Sequence, residues 1–585
     1  MSPASAATSV PDARARWRSP GIAQTALLGA FMLLFLLPGL VGHDPWKQDE
    51  TYTFGIVQHM LESGDFIVPM NAGQPFMEKP PLYYWLATLS TWLFSPWLPM
   101  HDAARLVNLF CGSVTLFVTA LTARRALGCQ SLNEPRVIGT LALFAGGLLV
   151  QKHLHDMFSD VALMMGAALA TYGLLGVVLS ATRASPTAAG PRHRDAVLLG
   201  LGVGMAWLSK GVFMPGVLAA SALCLPLLLP ACRNAAYARA LGIALLVFAP
   251  FGVIWPLLLA LRSQTLFISW FWDNNVGRFL GFSVHELGSA NDSWVVARAL
   301  LFAAIPSGPL ALAGLCAGGW RRWRCPEIAV PLVLCALGFG LLLVSATARE
   351  LYILPLMLPL ALLAADTLAR FPARWSLRWD LVSRLLFAFL SSVVWVAWAI
   401  MQLPADRHRA LAWLGRWLPP DYVLGFHAVE VLAALALTLA WLMVLPMLAR
   451  LGRWRGPASW AAGATLLWGL IFTLLLPWLN EAKSYQPVFS DLARQIAPLW
   501  APDDCMASVD LGESEAPMLY YVAHILHRPG SLDAARSCRW LILDKRHHHI
   551  PPKAEGWALF WSGARHGDRH ECLQVFRREG SAPED

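Results

Sequence analysis

Apolar runs of roughly 17 to 25 residues recur from Ile22 almost to Trp478, and each is long enough to cross a hydrocarbon core of about 30 Å as a helix. No water is available there to bind free amides and carbonyls, so such runs must fold as helices that satisfy their own backbone. One run would anchor a protein; this many make a fold. Composition agrees, with 57% hydrophobic and 14% charged residues, where soluble domains carry about 25% charged. The chain reads as an all-α polytopic membrane protein with membrane lipids as its solvent.

Spans are expected near 22–42, 104–122, 136–150, 157–181, 195–208, 212–230, 238–261, 297–319, 329–347, 351–370, 383–403, 426–449 and 460–478, about thirteen transmembrane helices. Leu82 to Leu98 is also apolar, and charge decides its place. If it stays on the outer face, the clusters Arg124/Arg125, Arg183/Arg192/Arg194, Arg233/Arg239, Arg321/Arg322/Arg324, Arg370/Arg374/Arg378 and Arg450/Arg453/Arg455 all fall inside, obeying the positive-inside bias. Residues 43–103 are therefore read as one large outer loop with surface-lying helices. Arg14, Arg16 and Arg18 precede a first run that is too long for a signal-peptide core, which is read as a retained span.

The net charge of +8 comes from these short clusters rather than from one basic stripe, which argues against a nucleic-acid partner. Ten Cys are scattered without CxxC or paired metal spacing. The chain divides into a membrane domain, 1–478, and a tail, 479–585, where composition changes abruptly. There Asp503, Asp504, Asp510, Glu513 and Glu515 alternate with short apolar runs, and a small α/β soluble domain outside the membrane is expected. Cys505, Cys538 and Cys572 would share an oxidising compartment, which allows one disulfide without choosing its partners.

The remaining ionisable groups converge on the outer side. The first outer loop holds Asp49 and Glu50, then Glu78 and Lys79 before Pro80 and Pro81; the second holds His153, His155, Asp156 and, one turn into a span, Asp160. Asp273, Arg278, His285 and Glu286 follow in 262–296, and Arg349, Glu350 and Tyr352 lie at the turn between two spans. A charge within hydrocarbon costs about 2.5 kcal/mol or more, so Asp160 and Glu350 at span ends are functional candidates. For any single carboxylate, capping a helix or facing solvent is the plainer reading, and the triplet His547 to His549 is read as a solvated loop.

The segment QDETYTFGIVQHMLESGDFIVPMNAGQPFMEKPPLYYWLATLS, Gln48 to Ser90, resembles the first outer loop of bacterial membrane glycosyltransferases of the protein O-mannosyltransferase and aminoarabinose lipid A transferase type (glycosyltransferase families 39 and 83). SDVALMM at Asp160, WLSKG at Lys210, FWDNNVGRFLG around Arg278 and ARELYILPLMLPLALLAAD at Tyr352 extend the resemblance over about 45–370. It implies a GT-C fold, a polyprenyl-phosphate-linked sugar donor and an active site on the periplasmic face of the bacterial inner membrane. By that resemblance Asp49, Glu50 and Asp160 are the catalytic acids, Lys79, Arg278 and Tyr352 bind the donor phosphate, and Glu78 is the position near which some relatives hold a divalent metal. No other cofactor is implied. The acceptor is a lipid such as lipid A, a glycan or a protein, and transfer in one in-line displacement would invert the anomeric carbon. The loop reads DNNVGRF where the aminoarabinose branch has a His shortly before the matching Arg, so metal, sugar and acceptor stay open. A transporter or flippase of lipid-linked sugars is the alternative; it would be expected to show inverted repeats and broken helices at midplane.

Overall fold

The apolar runs fold as helices in the computed structural model, which describes residues 29–30, 32–182, 193–283, 294–403, 422–544, 556–568 and 570–578. Arg14, Arg16, Arg18, Arg183, Arg192, His285, Glu286 and His547 to His549 lie outside the described residues. Among those described, seven helical runs are long and apolar enough to cross a membrane, from Met100–Ala126 to Ala428–Leu474. The chain is a multi-pass membrane protein. Length and apolarity alone do not return the expected count of thirteen. Pro135–Ala145 and Phe213–Leu228 are apolar but shorter, whereas Ala428–Leu474 is two helices, Ala428–Leu448 and Arg455–Leu474, packed on each other across a break at Gly452 (φ +60°).

The span expected at 297–319 is instead a bent pair, Val295–Ala303 and Ser307–Cys316, turning by 102°. Pro306 at the break has no amide proton to continue the helical ladder. The outer loop is also more structured than a set of surface helices. Asp49–Ser63 is largely buried, a short hairpin joins β1 (Met70–Asn71) to β2 (Gln74–Pro75), and Leu82–Phe94 follows. Thirteen helical residues reach about 20 Å, less than a hydrocarbon core. Its exposed side chains, Leu89, Trp92, Leu93 and Phe94, are those of a helix lying against lipid.

The axis of the membrane part is the antiparallel pair Asp160–Thr182 and His193–Lys210. Glycines bring the two backbones together: a methyl on Gly166 would press on Gly202 and Ala206, and one on Gly202 would press on Gly166 and Ala170. In lipid, where hydrophobicity does not drive helices together, such small-residue contacts let dispersion do so. Each end of the pair is fastened by charge. At one end Lys210 Nζ lies 2.5 Å from Asp160 Oδ1; at the other, Arg125 Nη1 lies 3.0 Å from Asp195 Oδ1. The arginine-rich connections and the acidic residues singled out above thus occupy opposite ends of the same helices.

Beyond Trp478 the chain builds a five-stranded sheet in the order β4-β3-β5-β7-β6, from β3 (Met506–Val509), β4 (His527–Pro529), β5 (Trp540–Asp544), β6 (Trp557–Gly563) and β7 (Leu573–Arg578). β3 runs parallel to β4 and β5, while β7 is antiparallel to β5 and β6. Trp540, Leu541, Ile542 and Leu543 are all buried, as a central strand covered on both faces requires. The amphipathic helix Gln486–Ile496 and the helix Glu515–Ala523 pack together beside it, giving the expected small α/β unit. Cys505 and Cys538 form the disulfide, and Cys572 is free.

Candidate active site

The acidic ends of the helices, the outer loop and the tail enclose two adjoining cavities. One, of about 330 Å³, is lined by Asp49, Tyr52, Glu78, Lys79, Asp160, Lys210, Arg278, Arg349, Tyr352 and Glu513 among others. The second, of about 280 Å³, shares Glu78, Lys79, Asp160, Lys210, Arg278 and Tyr352 but continues between Leu163, Val212, Phe213, Phe279, Leu341 and Leu342. A charged chamber therefore opens into an apolar cleft between membrane helices, with one set of ionisable groups at the junction.

Local structure sets each group. Asp49 lies in the first turn of Asp49–Ser63, where a carboxylate suits the exposed amides of a helix start. Pro80 and Pro81 fix the backbone after Glu78 and Lys79 as the chain enters Leu82–Phe94. Asp160 opens its helix and Lys210 closes the next. Gly211 follows with φ +76°, and a methyl there would overlap Asn275. That close approach lets Asn275 Oδ1 accept from the Val212 amide at 3.3 Å while its Nδ2 donates to Trp270 O at 2.8 Å. The wide π-helical turn Ser269–Gly277, so anchored, delivers Arg278 beside Glu78. Such turns cluster at functional sites because they redirect one side chain without ending the helix.

The charges are paired. Arg278 Nη1 donates to Glu78 Oε1 at 2.6 Å, and Lys79 Nζ lies 3.7 Å from Asp49 Oδ1. The Tyr52 hydroxyl sits between them, donating to Asp49 and accepting from Lys79. Lys210, bound to Asp160, also lies 4.3 Å over the ring of Tyr352. Burial alone would raise the Glu78 carboxyl, but Lys79 and Arg278 hold it at about 2. Burial by itself would lower the Lys79 ammonium; Tyr52, Glu78 and Asp49 hold it charged well above the usual lysine range. The Glu513 carboxyl is pushed up, first by burial and then by the neighbouring Glu78. Two buried polar atoms of these residues, Asp160 Oδ2 and Arg278 Nε, have no hydrogen-bond partner among the described residues.

Asp49, Asp160, Glu78, Lys79, Arg278 and Tyr352 are thus brought together as the sequence reading expected. Glu50 is not. It points away from the cavity, accepting from Arg105 Nε at 3.1 Å and from the amides of Trp46 at 3.0 Å and Met157 at 2.9 Å. Arg105, fully buried, also binds Asp102 Oδ1 at 2.9 Å. The Glu50 carboxylate instead ties Arg105 to the backbone at Trp46 and at Met157. His153 turns to Asp156 and His155 to backbone carbonyls, while Glu350 meets Arg298 at 3.3 Å. The Glu78 carboxylate is taken up by Lys79 and Arg278, and among the described residues no three His, Cys, Asp or Glu side chains gather to hold a metal. That setting does not fit a divalent ion at Glu78.

No family model matches the chain. It is 26% identical over 431 residues to an undecaprenyl phosphate-alpha-4-amino-4-deoxy-L-arabinose arabinosyl transferase of Pseudomonas fluorescens, covering 72% of this chain and 70% of that one. It is 30% identical over 345 residues to the enzyme of that name from Sodalis glossinidius, 58% of each chain. Among solved structures, ArnT from Cupriavidus metallidurans bound to undecaprenyl phosphate superposes with a TM-score of 0.66 at 16% identity, covering 96% of this chain and 99% of the other. The fold is of the GT-C type. The resemblance read from Gln48 to Ser90 is borne out, and the GT-C assignment covers the tail as well as the membrane helices.

Four further groups line the cavity: Tyr52, Lys210, Arg349 and Glu513. Tyr52 lies within Gln48 to Ser90 and Lys210 within WLSKG, where the strings by themselves give neither a role, and Arg349 lies three residues before Tyr352. Glu513 comes from the tail, where an acidic stretch reads locally as solvated surface; nothing nearby in sequence signals that it folds back onto the outer loop.

Proposed function

We propose that this chain is an integral-membrane glycosyltransferase of the bacterial inner membrane, moving a sugar from a polyprenyl-phosphate donor to a periplasmic acceptor with inversion at the anomeric carbon. One observation carries the reading: a cavity ringed by Lys79, Lys210, Arg278 and Arg349 opens directly into an apolar cleft. A polyprenyl phosphate is that combination, an anion on a hydrocarbon chain. The likeness to arabinosyltransferases named for an undecaprenyl phosphate donor supports it.

In this mechanism the acceptor oxygen forms its bond to the anomeric carbon as the bond from that carbon to the phosphate oxygen breaks, its electron pair leaving on polyprenyl phosphate. Lys79 and Arg278, preorganised by Asp49, Tyr52 and Glu78, stabilise the charge that develops on the leaving phosphate. Asp49, whose side chain is 43% exposed to the chamber, takes the proton of a hydroxyl acceptor. With an ionised phosphate acceptor no proton moves, and Asp49 only orients. Asp160 and Lys210 position Tyr352 over the donor phosphate.

Lipid A, a glycan or a protein remain the acceptor classes. The test is the purified protein in nanodiscs with a polyprenyl-phosphate sugar and each acceptor class, read by mass spectrometry. Free polyprenyl phosphate should appear together with a glycosylated acceptor. Movement of intact donor between leaflets of proteoliposomes, without cleavage, would instead establish the flippase alternative.

A further inference from the structure

The stretch from Asp44 to Gln48, which leads into Asp49, is joined to the tail by several of its polar groups. The amide of Asp44 and the indole of Trp46 both donate to Asn480 Oδ1, at 2.9 and 3.0 Å, and Ser484 Oγ donates to Asp44 Oδ2 at 2.6 Å. Gln48 O accepts from Ser514 Oγ at 3.3 Å, and Gln48 Nε2 donates to Glu513 Oε1 at 3.4 Å. Asn71 of the hairpin donates to Glu513 O at 2.9 Å. The centre of this seam is a charge cluster. Lys47 Nζ lies 2.5 Å from Glu515 Oε1 and 3.6 Å from Glu571 Oε1. The Tyr485 hydroxyl bridges the same two carboxylates at 2.8 and 2.7 Å, and Arg565 Nε donates to Glu571 Oε2 at 2.9 Å.

Glu515 and Glu571 are almost fully buried, so cations held against them offset part of the cost of removing two carboxylates from water. Arg565 belongs to the tail itself; Lys47 belongs to the outer loop. The buried carboxylates of the tail are thus paired in part with the residue two positions before Asp49. The same turn, Gly512 to Glu515, presents Glu513 to the cavity.

We infer that the tail is a working part of the transferase site: the Lys47–Glu515–Glu571 clasp positions Asp49 for transfer and holds Glu513 at the chamber wall. The inference rests on the transferase reading above. Lys47 touches neither donor nor acceptor and is a positioning residue. Its loss should act on the rate of transfer and leave donor binding intact, because misplacing a reacting group by about 1 Å costs on the order of 10²-fold.

The experiment uses the full-length protein in nanodiscs, wild type against Lys47→Met and Gly512→Ala. The second variant leaves every charge in place but sets a methyl against the Glu515 carboxylate, so it displaces the clasp without stripping a buried charge. Three quantities are measured: single-turnover transfer, affinity for undecaprenyl phosphate, and backbone hydrogen exchange over residues 44–55. Folded variants should transfer on the order of 10- to 10²-fold more slowly, bind undecaprenyl phosphate within about threefold of wild type, and exchange faster over 44–55 than over Asp160–Thr182. Wild-type exchange over 44–55 in Gly512→Ala, or a wild-type transfer rate in either folded variant, overturns the inference. If wild type transfers to no acceptor, the transferase reading fails on its own account, while the exchange data still decide whether the clasp orders the loop.

Discussion

Lys210 and Asp160 close one end of an antiparallel helix pair, Nζ 2.5 Å from Oδ1, with the ammonium stacked 4.3 Å over the ring of Tyr352. Asp160 is fully buried, so the pair holds a charge that the helix end could not otherwise carry. Removing one partner of a buried pair costs about 3–5 kcal/mol, since the other is left uncompensated. Lys210→Met should therefore lower the thermal midpoint in detergent, and adding Asp160→Asn should recover part of the loss. Equal midpoints for wild type and Lys210→Met would show that the pair is cavity furniture rather than a fastening.

Lys79 and Arg278 stand at the junction of chamber and cleft, each already matched to a carboxylate, and are assigned to the leaving phosphate. Lys79→Ala and Arg278→Ala should each slow transfer by at least about 10²-fold, the scale for losing one preorganised stabiliser of developing charge. Arg278→Lys should not restore the rate, because a lysine cannot serve Glu78 and a phosphate in the planar geometry of a guanidinium. Near-wild-type turnover of either alanine variant at saturating donor would remove that residue from the leaving-group site.

Orientation follows from the separation of charges along the helices. Reporters fused after Arg125, Arg324 and Arg455 should read cytoplasmic, and one fused after Asp510 periplasmic, if the arginine clusters obey the positive-inside bias. A cytoplasmic signal at Asp510 would place the tail and the cavity on the wrong face for the proposed acceptors.

Much of this site was legible because its residues sit in short strings whose local geometry is stiff. Glu78 and Lys79 before two prolines, and Asp160 at a span mouth, carry their signal within a few positions. Glu50 misleads for an equally local reason. Successive helical residues point about 100° apart, so of the adjacent acids Asp49 faces the chamber and Glu50 faces Arg105, a distinction that adjacency in sequence does not encode. Glu513 and the Lys47 clasp were out of reach because they depend on how the tail folds back, a long-range contact with no periodicity of its own. The expected span 297–319 is bent at Pro306, which a count of apolar residues passes over. Apolar runs predict helices well and predict their breaks poorly.

His527 makes the tail sensitive to acid. It is buried in β4 with Nδ1 2.6 Å from Ser508 Oγ, and burial lowers its imidazole from the ordinary 6.5 to about 4. A base with a folded value below its unfolded one binds protons preferentially when unfolded, so stability falls as pH drops below about 6.5 and levels off near 4. Unfolding followed by the fluorescence of Trp540, Trp557 and Trp561 should show that decline. His527→Gln should flatten it between these limits. An unchanged pH slope in the variant would assign the acid sensitivity to other groups.

The hydroxyl of Tyr52, lying between Asp49 and Lys79, separates two roles for Asp49. If Asp49 removes a proton from the acceptor, Asp49→Asn should slow single-turnover transfer by on the order of 10²- to 10⁴-fold while donor still binds. Tyr52→Phe keeps the ring that lies 4.7 Å beneath the Lys79 ammonium but removes the bridge. It should cost less, because the carboxylate and its proton-accepting oxygen remain and only their orientation is loosened. Should Asp49 merely orient an already ionised phosphate, the two variants should lose similar amounts, since neither then forfeits a proton transfer. Donor affinity measured alongside completes the distinction: a fall in affinity that accounts for all of the lost rate in Asp49→Asn would move Asp49 from the chemistry to the binding of the donor phosphate through Lys79.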